Sequence, residues 1–318
     1  NTMRLQQLRL LCEINRQNLN LSKAAESLHT SQPGISKQIQ LLEEELGVDI
    51  FVRNGKRIVK ITPPGKAIIE IAERMLQDAE NLKSVGQEFN NQTSGTLTIA
   101  TTHTQARYAL PPVIKRFTER YPNVKLTLRQ GNPTQIATLV SSGEADLAIA
   151  TEAIELFHDL IMLPCYQWNR CIVVPPNHPL LDSPILTLEA IAQYPIVTYD
   201  FAFTGRSKIN RAFEASGLNP NVVLTAIDSD VIKTYVELGL GIGILANMAF
   251  DPLRDQHLRS IDASHLFEPS TTRVGISRNS YIRGYSYDFI EMFAPHLNHD
   301  VVKSAMKGKS NKTEPFSF

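Results

Sequence analysis

Cysteine is scarce: Cys12, Cys165 and Cys171 are the only three in 318 residues. An odd number without CxxC spacing excludes a disulfide framework and a thiolate zinc site, and it fits a reducing cytosol. Long apolar runs are missing as well. The longest, Leu238 to Ala246, is broken by glycines and falls far short of the roughly 20 residues that span a bilayer. No basic and apolar leader opens the chain, so a cytoplasmic protein with no membrane partner is expected. Catalytic signatures are also lacking. There is no GxSxG, no HExxH and no phosphate loop, and Gly239-Leu240-Gly241-Ile242-Gly243 has Ile244 where the dinucleotide fingerprint needs a third glycine. The chain is therefore not expected to be an enzyme, nor to carry a cofactor or a metal.

Net charge is absent on average, with 32 Lys and Arg against 32 Asp and Glu, which alone disfavours a uniformly basic nucleic-acid coat. The average conceals a split. Residues 1–66 hold ten basic and six acidic side chains, and the remainder holds 22 and 26. A small basic head precedes a larger acidic body, and the asymmetry points to a partner for the head.

Within the head, Leu5, Leu8, Leu11 and Ile14 recur at helical spacing, and Ser22 can cap a short helix from Lys23 to Leu28. Ser31 then caps a third helix with Pro33 in its first turn and an Ile35, Ile39, Leu42, Leu46 stripe ending at Gly47. A short helix, a turn and a longer helix form a helix-turn-helix, whose second helix offers its N-terminal side chains to a major groove. Here these are Ser31, Gln32, Ser36 and Lys37. Gln suits adenine, Ser either a base edge or a phosphate, and Lys a phosphate. Glu43, Glu44 and Glu45 would be repelled by phosphate and are expected to face solvent or a partner. Residues 50–61 read as a hairpin turning at Asn54-Gly55, a wing carrying Arg53, Lys56, Arg57 and Lys60. Spacing alone leaves a small helical bundle with a basic hairpin as an equal account.

From Gly65 to Phe89 no proline intervenes, and Ile68, Ala72, Met75, Ala79, Leu82, Gly86 and Phe89 alternate four and three apart. That is a coiled-coil seam, and it predicts dimerisation through a linker helix. Residues 91–95 are a polar hinge. Beyond them, short β-branched runs alternate with helical patterns: 96–100, 106–120, 125–130, 134–142 and 147–150, then a second set from Ile172 to Leu245. This predicts two α/β lobes with mostly parallel sheets. Ligands bind such lobes at the carboxyl ends of their strands, where Thr101 to Gln105, Thr151 and Thr204 fall. Hydroxyls, amides and helix-start N–H groups there would hold a small anion, although for a single threonine ordinary capping is the commoner role.

Several motifs carry a family resemblance. Ala24-Ala25 to Leu28, Thr30 to Ile39, Leu42 to Gly47, Phe51-Val52-Arg53 and Thr62-Pro63-Pro64-Gly65 resemble the N-terminal signature of LysR-type transcriptional regulators. Thr98 to Tyr108, Gly143 to Ala150, Thr204 to Ser207 and Asp228 to Tyr235 resemble its CysB/Cbl branch, activators of sulfur-assimilation and cysteine-biosynthesis genes. The resemblance implies an α/β protein: a winged helix-turn-helix (1–64), a coiled-coil linker (65–90), a hinge (91–95) and a two-lobed effector domain of the periplasmic-binding-protein-like type (96–302). Lobe I would cover about 96–163 and 269–302, and lobe II about 164–268. It further implies base contacts from Gln32, Pro33 and Ser36, and phosphate contacts from Lys37 and Arg53. Effector contacts would come from Thr102, Thr104, Gln105, Thr151 and Thr204, with His103 ranked below them. Implied partners are promoter DNA, RNA polymerase and a homotetramer; the effector would be sulfate, thiosulfate, an acetylserine or a sulfated nucleotide. A LysR-type regulator of another pathway, a cytosolic anion-binding protein without gene-specific regulation, and a solute-binding protein of transport stand as alternatives. Residues 303–318, rich in Lys, Ser and Asn, read as a disordered tail.

Overall fold

The computed structural model describes residues 2–151, 154–200 and 206–308. They divide into two compact units, one made of the chain up to Asn90 with the short segment Asn279–Tyr281, the other of the rest from Asn91 onward.

The first unit holds α1 (Leu5–Arg16), α2 (Leu21–Ser27), α3 (Gln32–Leu46), the hairpin β1 (Phe51–Asn54) and β2 (Arg57–Ile61), and α4 (Pro63–Asn90). Leu8, Leu11, Ile14, Ile35, Ile39 and Leu42 bury completely or nearly so in one core with Phe51 and Ile58 of the wing, whereas Leu46 ends the stripe exposed. Asn20, rather than Ser22, caps α2, its side chain accepting from the Lys23 N–H at 3.0 Å. In the hairpin Asn54 pairs with Arg57, so the two turn residues are Gly55 and Lys56, one position later than Asn54-Gly55. Gly55 takes the left-handed φ of 61° that such a turn demands.

Thr62 starts α4. Its hydroxyl donates to the Asp49 carbonyl at 2.6 Å and accepts from the Gly65 N–H at 3.0 Å, and Pro63 and Pro64 occupy a first turn that needs no N–H donors. A Cβ on Gly65 would lie 2.2 Å from the Ile50 carbonyl oxygen, so only glycine lets the helix start pass under the wing. The seam expected along α4 is divided. Ala72 buries in the head's own core, with Ile68 packed against it and Ile69 from beside the seam buried too, while Met75, Leu82 and Phe89 of the seam, and Ile71 beside it, stand exposed.

The second unit contains β3 (Ser94–Thr101), a π-helical turn (Gln105–Ala109), α5 (Pro111–Arg120), β4 (Asn123–Gln130), α6 (Pro133–Ser141), β5 (Leu147–Ala150), β6 (Leu160–Trp168), β7 (Arg170–Val174), α7 (Leu188–Ala192), β8 (Ile196–Tyr199), α8 (Arg206–Ala215), β9 (Val222–Ala226), α9 (Ser229–Glu237), β10 (Ile242–Ala246), β11 (Arg259–Asp262), β12 (Ser270–Ser277), α10 (Gly284–Phe293) and α11 (His299–Met306). Two five-stranded sheets result, ordered β4-β3-β5-β12-β6 in lobe I and β11-β7-β10-β8-β9 in lobe II. In each, three strands pair in parallel, a fourth (β12 or β7) runs against them, and the fifth (β6 or β11) pairs antiparallel with that one and so runs with the first three, because the chain passes between the sheets instead of adding further βαβ units. The first passage is Asn169: β6 runs to Trp168 and β7 begins at Arg170, so lobe I extends several residues beyond 163. The second lies between β11 and β12.

Alternation along β3 sends Leu97 and Ile99 into a core with Phe117 and Phe289, and Ala100 into another with Ile136 and Phe157. Both faces of the sheet are therefore covered by helices. The helix expected at 106–120 is interrupted at Leu110, because Pro111 cannot supply the N–H an unbroken helix needs. The hinge expected at 91–95 is shorter, since β3 starts at Ser94 and pairs with Asn123 of β4. Residues 303–306, expected to belong to a disordered tail, instead continue α11, which is capped by Asn298 and runs to Met306. Residues 309–318 lie outside the described residues.

Candidate DNA-reading surface and effector cavity

At the head, Ser31 spends its hydroxyl as the N-cap of α3, accepting from the Gly34 N–H at 3.2 Å. Gln32, Pro33 and Lys37 are exposed and Ser36 is half-buried on the first turns of the same helix. The Gln32 Oε1 accepts from the Ser22 hydroxyl at 3.0 Å, which leaves the amide N–H pair as the outward-facing end. Lys56 is exposed at the tip of the wing.

The acidic run does not all face solvent. Glu43 is buried, accepting the Ile50 N–H at 2.8 Å and the Phe51 N–H at 3.2 Å, with the Arg53 Nη2 at 2.8 Å from its other oxygen. Two backbone donors and a guanidinium compensate the buried carboxylate. Arg53, expected to meet phosphate, thus has one edge committed to bracing the wing against the reading helix, and it keeps 23% of its side chain exposed.

In the second unit, a cavity opens at the carboxyl ends of the parallel strands of both sheets. Thr102, Thr104 and Gln105 line it from beyond β3, Thr151 from beyond β5, Trp168 from the end of β6, and Tyr199, Ile227 and Ala246 from lobe II. It encloses about 340 Å³, including its open mouth. Four of the expected effector contacts therefore converge here. Thr204 falls outside the described residues. His103 is not part of the lining. Its Nε2 lies 2.8 Å from the Asp230 Oδ2 and its Nδ1 3.3 Å from the Gln130 Oε1, so both ring nitrogens are occupied by the protein.

The lining is neutral. Gln105 is fully buried, its Nε2 donating to the Thr272 hydroxyl at 3.2 Å and its Oε1 accepting from the Tyr166 hydroxyl. Burial pushes the Tyr166 hydroxyl up to about 12, which keeps it a donor. Thr272 also accepts from the Trp168 Nε1 at 3.1 Å and meets the Thr151 hydroxyl at 3.2 Å. Behind the lining, the Arg170 guanidinium stacks on Trp168, 4.9 Å from the ring centroid, and donates to the Glu268 carbonyl and the Ser270 hydroxyl.

Polar links cross from one lobe to the other. Thr104 of lobe I meets Ser229 of lobe II at 3.3 Å, and Ser229 meets Tyr199 of its own lobe at 2.6 Å. At the rim, Asp230 accepts from Tyr108 and meets His103, while the Lys233 Nζ donates to the Tyr108 hydroxyl at 2.8 Å and pairs with Asp255 at 3.0 Å. Asp228 caps α9, accepting from the Val231 N–H at 2.9 Å, whereas Asp230, in the first turn of the same helix, joins the lobes. Thr272, Tyr166, Tyr199, Ser229 and Lys233 were invisible as site residues in the sequence. Thr272 lies 121 positions from Thr151 and 167 from Gln105, and Ser229 lies 125 from Thr104; the placing of β6 and β12 in the lobe I sheet brings Tyr166 and Thr272 near, and α9 of lobe II brings Ser229 and Lys233.

Comparison with known proteins follows this geometry. The "Bacterial regulatory helix-turn-helix protein, lysR family" domain matches residues 5–66, and the "LysR substrate binding domain" matches residues 90–298. The chain is 57% identical to the HTH-type transcriptional regulator SsuR of Burkholderia cenocepacia, covering 96% of this chain and 99% of that one. It is 53% identical to the HTH-type transcriptional regulator CysB of the same organism, covering 98% and 100%. The crystal structure of the cofactor-binding domain of the Cbl transcriptional regulator superposes with a TM-score of 0.65 at 46% identity, over 68% of this chain and 95% of that domain. No helix among the described residues is long and apolar enough to cross a membrane. Reading helix, wing and two-lobed cavity unit together with these matches make the chain a member of the LysR family of DNA-binding transcriptional regulators, a regulator and not an enzyme, akin to SsuR, CysB and Cbl.

Proposed function

We propose that this regulator controls, chiefly as an activator, genes of sulfur assimilation or cysteine biosynthesis, and that it does so in the cytoplasm in response to a small sulfur-related anion held between its lobes. One observation carries the effector reading: Thr102, Thr104, Gln105 and Thr151 converge on a cavity whose described lining has no charged side chain. Neutral hydroxyl and amide donors bind an oxyanion by hydrogen bonding and discriminate by geometry. Sulfate, thiosulfate, an acetylserine and a sulfated nucleotide all offer the required oxygens, and no other cofactor enters the reading.

The exposed stripe Ile71, Met75, Leu82 and Phe89 supports pairing of two α4 helices, which presents two reading helices to a two-fold promoter site. Two such dimers form the tetramer, and RNA polymerase is the partner on DNA. The effector acts by binding one arrangement of the lobes more tightly than the other. The test is calorimetric titration of the full chain with that panel of anions, paired with promoter retention at several salt concentrations. Saturable binding lost in Thr102→Ala and Gln105→Ala, with non-specific DNA affinity retained, is the expected result. Absence of binding by every anion, or equal loss of both activities, rejects the reading.

A further inference from the structure

We infer that Thr272, a residue buried beneath the cavity, is a positioning residue that makes Thr151 a hydrogen-bond donor toward the bound anion and so biases the cavity toward oxyanions that carry no proton. The inference rests on the reading of the cavity as an anion site.

A threonine hydroxyl has one proton and two lone pairs. Thr272 is fully buried in β12, and both its lone pairs are taken: the Gln105 Nε2 donates at 3.2 Å and the Trp168 Nε1 at 3.1 Å. The indole N–H is only ever a donor, and the amide is oriented by the Tyr166 hydroxyl on its Oε1. Thr272 is left with its proton; besides the Tyr166 hydroxyl, whose own proton goes to Gln105, its remaining neighbour is the Thr151 oxygen at 3.2 Å, and the proton is assigned to the bond with Thr151. Having accepted that bond, Thr151 keeps its own proton for the cavity it lines, and the chain of bonds polarises that O–H into a stronger donor.

Sulfate and hydrogen phosphate have similar size and the same double charge, but hydrogen phosphate carries an O–H that needs an acceptor. A wall whose hydroxyl is committed to donating leaves that O–H poorly matched, and an unmatched buried polar group costs about tenfold or more in affinity. Replacing Thr272 by valine keeps the shape and removes the hydroxyl. Thr151 is then free to turn, and it accepts as readily as it donates.

The experiment titrates sulfate and, above neutral pH, phosphate into the full chain: wild type, Thr272→Val, Thr272→Ser, Thr151→Ala and the Thr272→Val/Thr151→Ala double variant. Wild type is expected to prefer sulfate. Thr272→Val should lose about tenfold in sulfate affinity and lower the sulfate-to-phosphate preference at least about threefold, while Thr272→Ser stays within about twofold of wild type. Because Thr272 acts through Thr151, the double variant should bind sulfate about as weakly as Thr151→Ala alone. If Thr272→Val does not fold, Trp168→Phe replaces it, since it frees one Thr272 lone pair and should lower the preference in the same direction. Wild type binding neither anion defeats the anion-site reading and this inference with it. Wild-type sulfate binding together with an unchanged preference in the variants, fully multiplicative losses, or a serine variant as weak as valine overturns the inference and leaves the anion-site reading standing.

Discussion

Glu43 of the reading helix holds Arg53 of the wing at 2.8 Å while its other oxygen takes the Ile50 and Phe51 N–H groups. One carboxylate thus fixes the angle between the two DNA-facing elements. In Glu43→Gln the side chain keeps its size but loses its charge, and it presents an N–H pair where an acceptor is required. Unfolding of the head in urea should show a loss of about 1–3 kcal/mol, and promoter affinity should fall more than affinity for random DNA. Unchanged stability would show that the wing is held by its apolar contacts alone.

Gln32 and Lys37 lie on the same helix start and are expected to separate specificity from affinity. Lys37→Ala should weaken binding to all sequences alike and reduce the salt slope of log affinity by about one. Gln32→Ala should relax discrimination at one base position by about 1–3 kcal/mol with little change in that slope. Retention of promoter and scrambled duplexes across a salt series distinguishes the two outcomes.

The rim of the cleft predicts a pH dependence. Burial by itself pushes the Asp230 carboxyl up, but hydrogen bonds from Tyr108 and His103 and the charge of Lys233 outweigh it and hold the group below the usual carboxylate range. For a carboxyl with a depressed folded value, the stabilisation is complete above the unfolded value and is lost as pH falls through the folded one. The melting temperature of wild type should therefore exceed that of Asp230→Asn at neutral pH, and the gap should close on acidification below the carboxylate range. A gap that persists in acid would mean that Asp230 stabilises by packing.

On α4, Leu82 and Phe89 are 75% and 78% exposed, an arrangement that water penalises and a second helix relieves. Leu82→Glu and Phe89→Glu should shift the chain toward smaller species in sedimentation velocity, with the head's urea midpoint unmoved. Ala72→Glu, by contrast, should unfold the head, because Ala72 belongs to its core.

This division of α4 shows what the sequence could convey and what it could not. The seven-residue spacing was legible, but an apolar side chain has the same spacing whether its partner is a second copy or the chain's own α1. Local signals read well elsewhere: the Ser31 cap, the hairpin's existence and the runs of β5, β8 and β9 act through neighbours a few positions away. Even there, the hairpin turned one residue late, since its register depends on the irregularity between Val52 and Arg53. In the cavity the threonines were legible because they follow strands at a predictable edge. Thr272 was not, because nothing about a threonine inside a strand marks the two N–H groups that the neighbouring strand β6 and the turn after β3 direct at it. Glu43 was misjudged for a related reason: a charge is assigned to solvent unless its buried donors are known, and these donors are backbone groups of another element.

The two passages of chain between the sheets have a mechanical meaning. Arg170 stands at the end of the first and grips Glu268 and Ser270 on the second, so the straps joining the lobes are tied to each other at one point. A tie of this kind limits sliding and twisting of one strap against the other, because a single buried side chain holds both at one place.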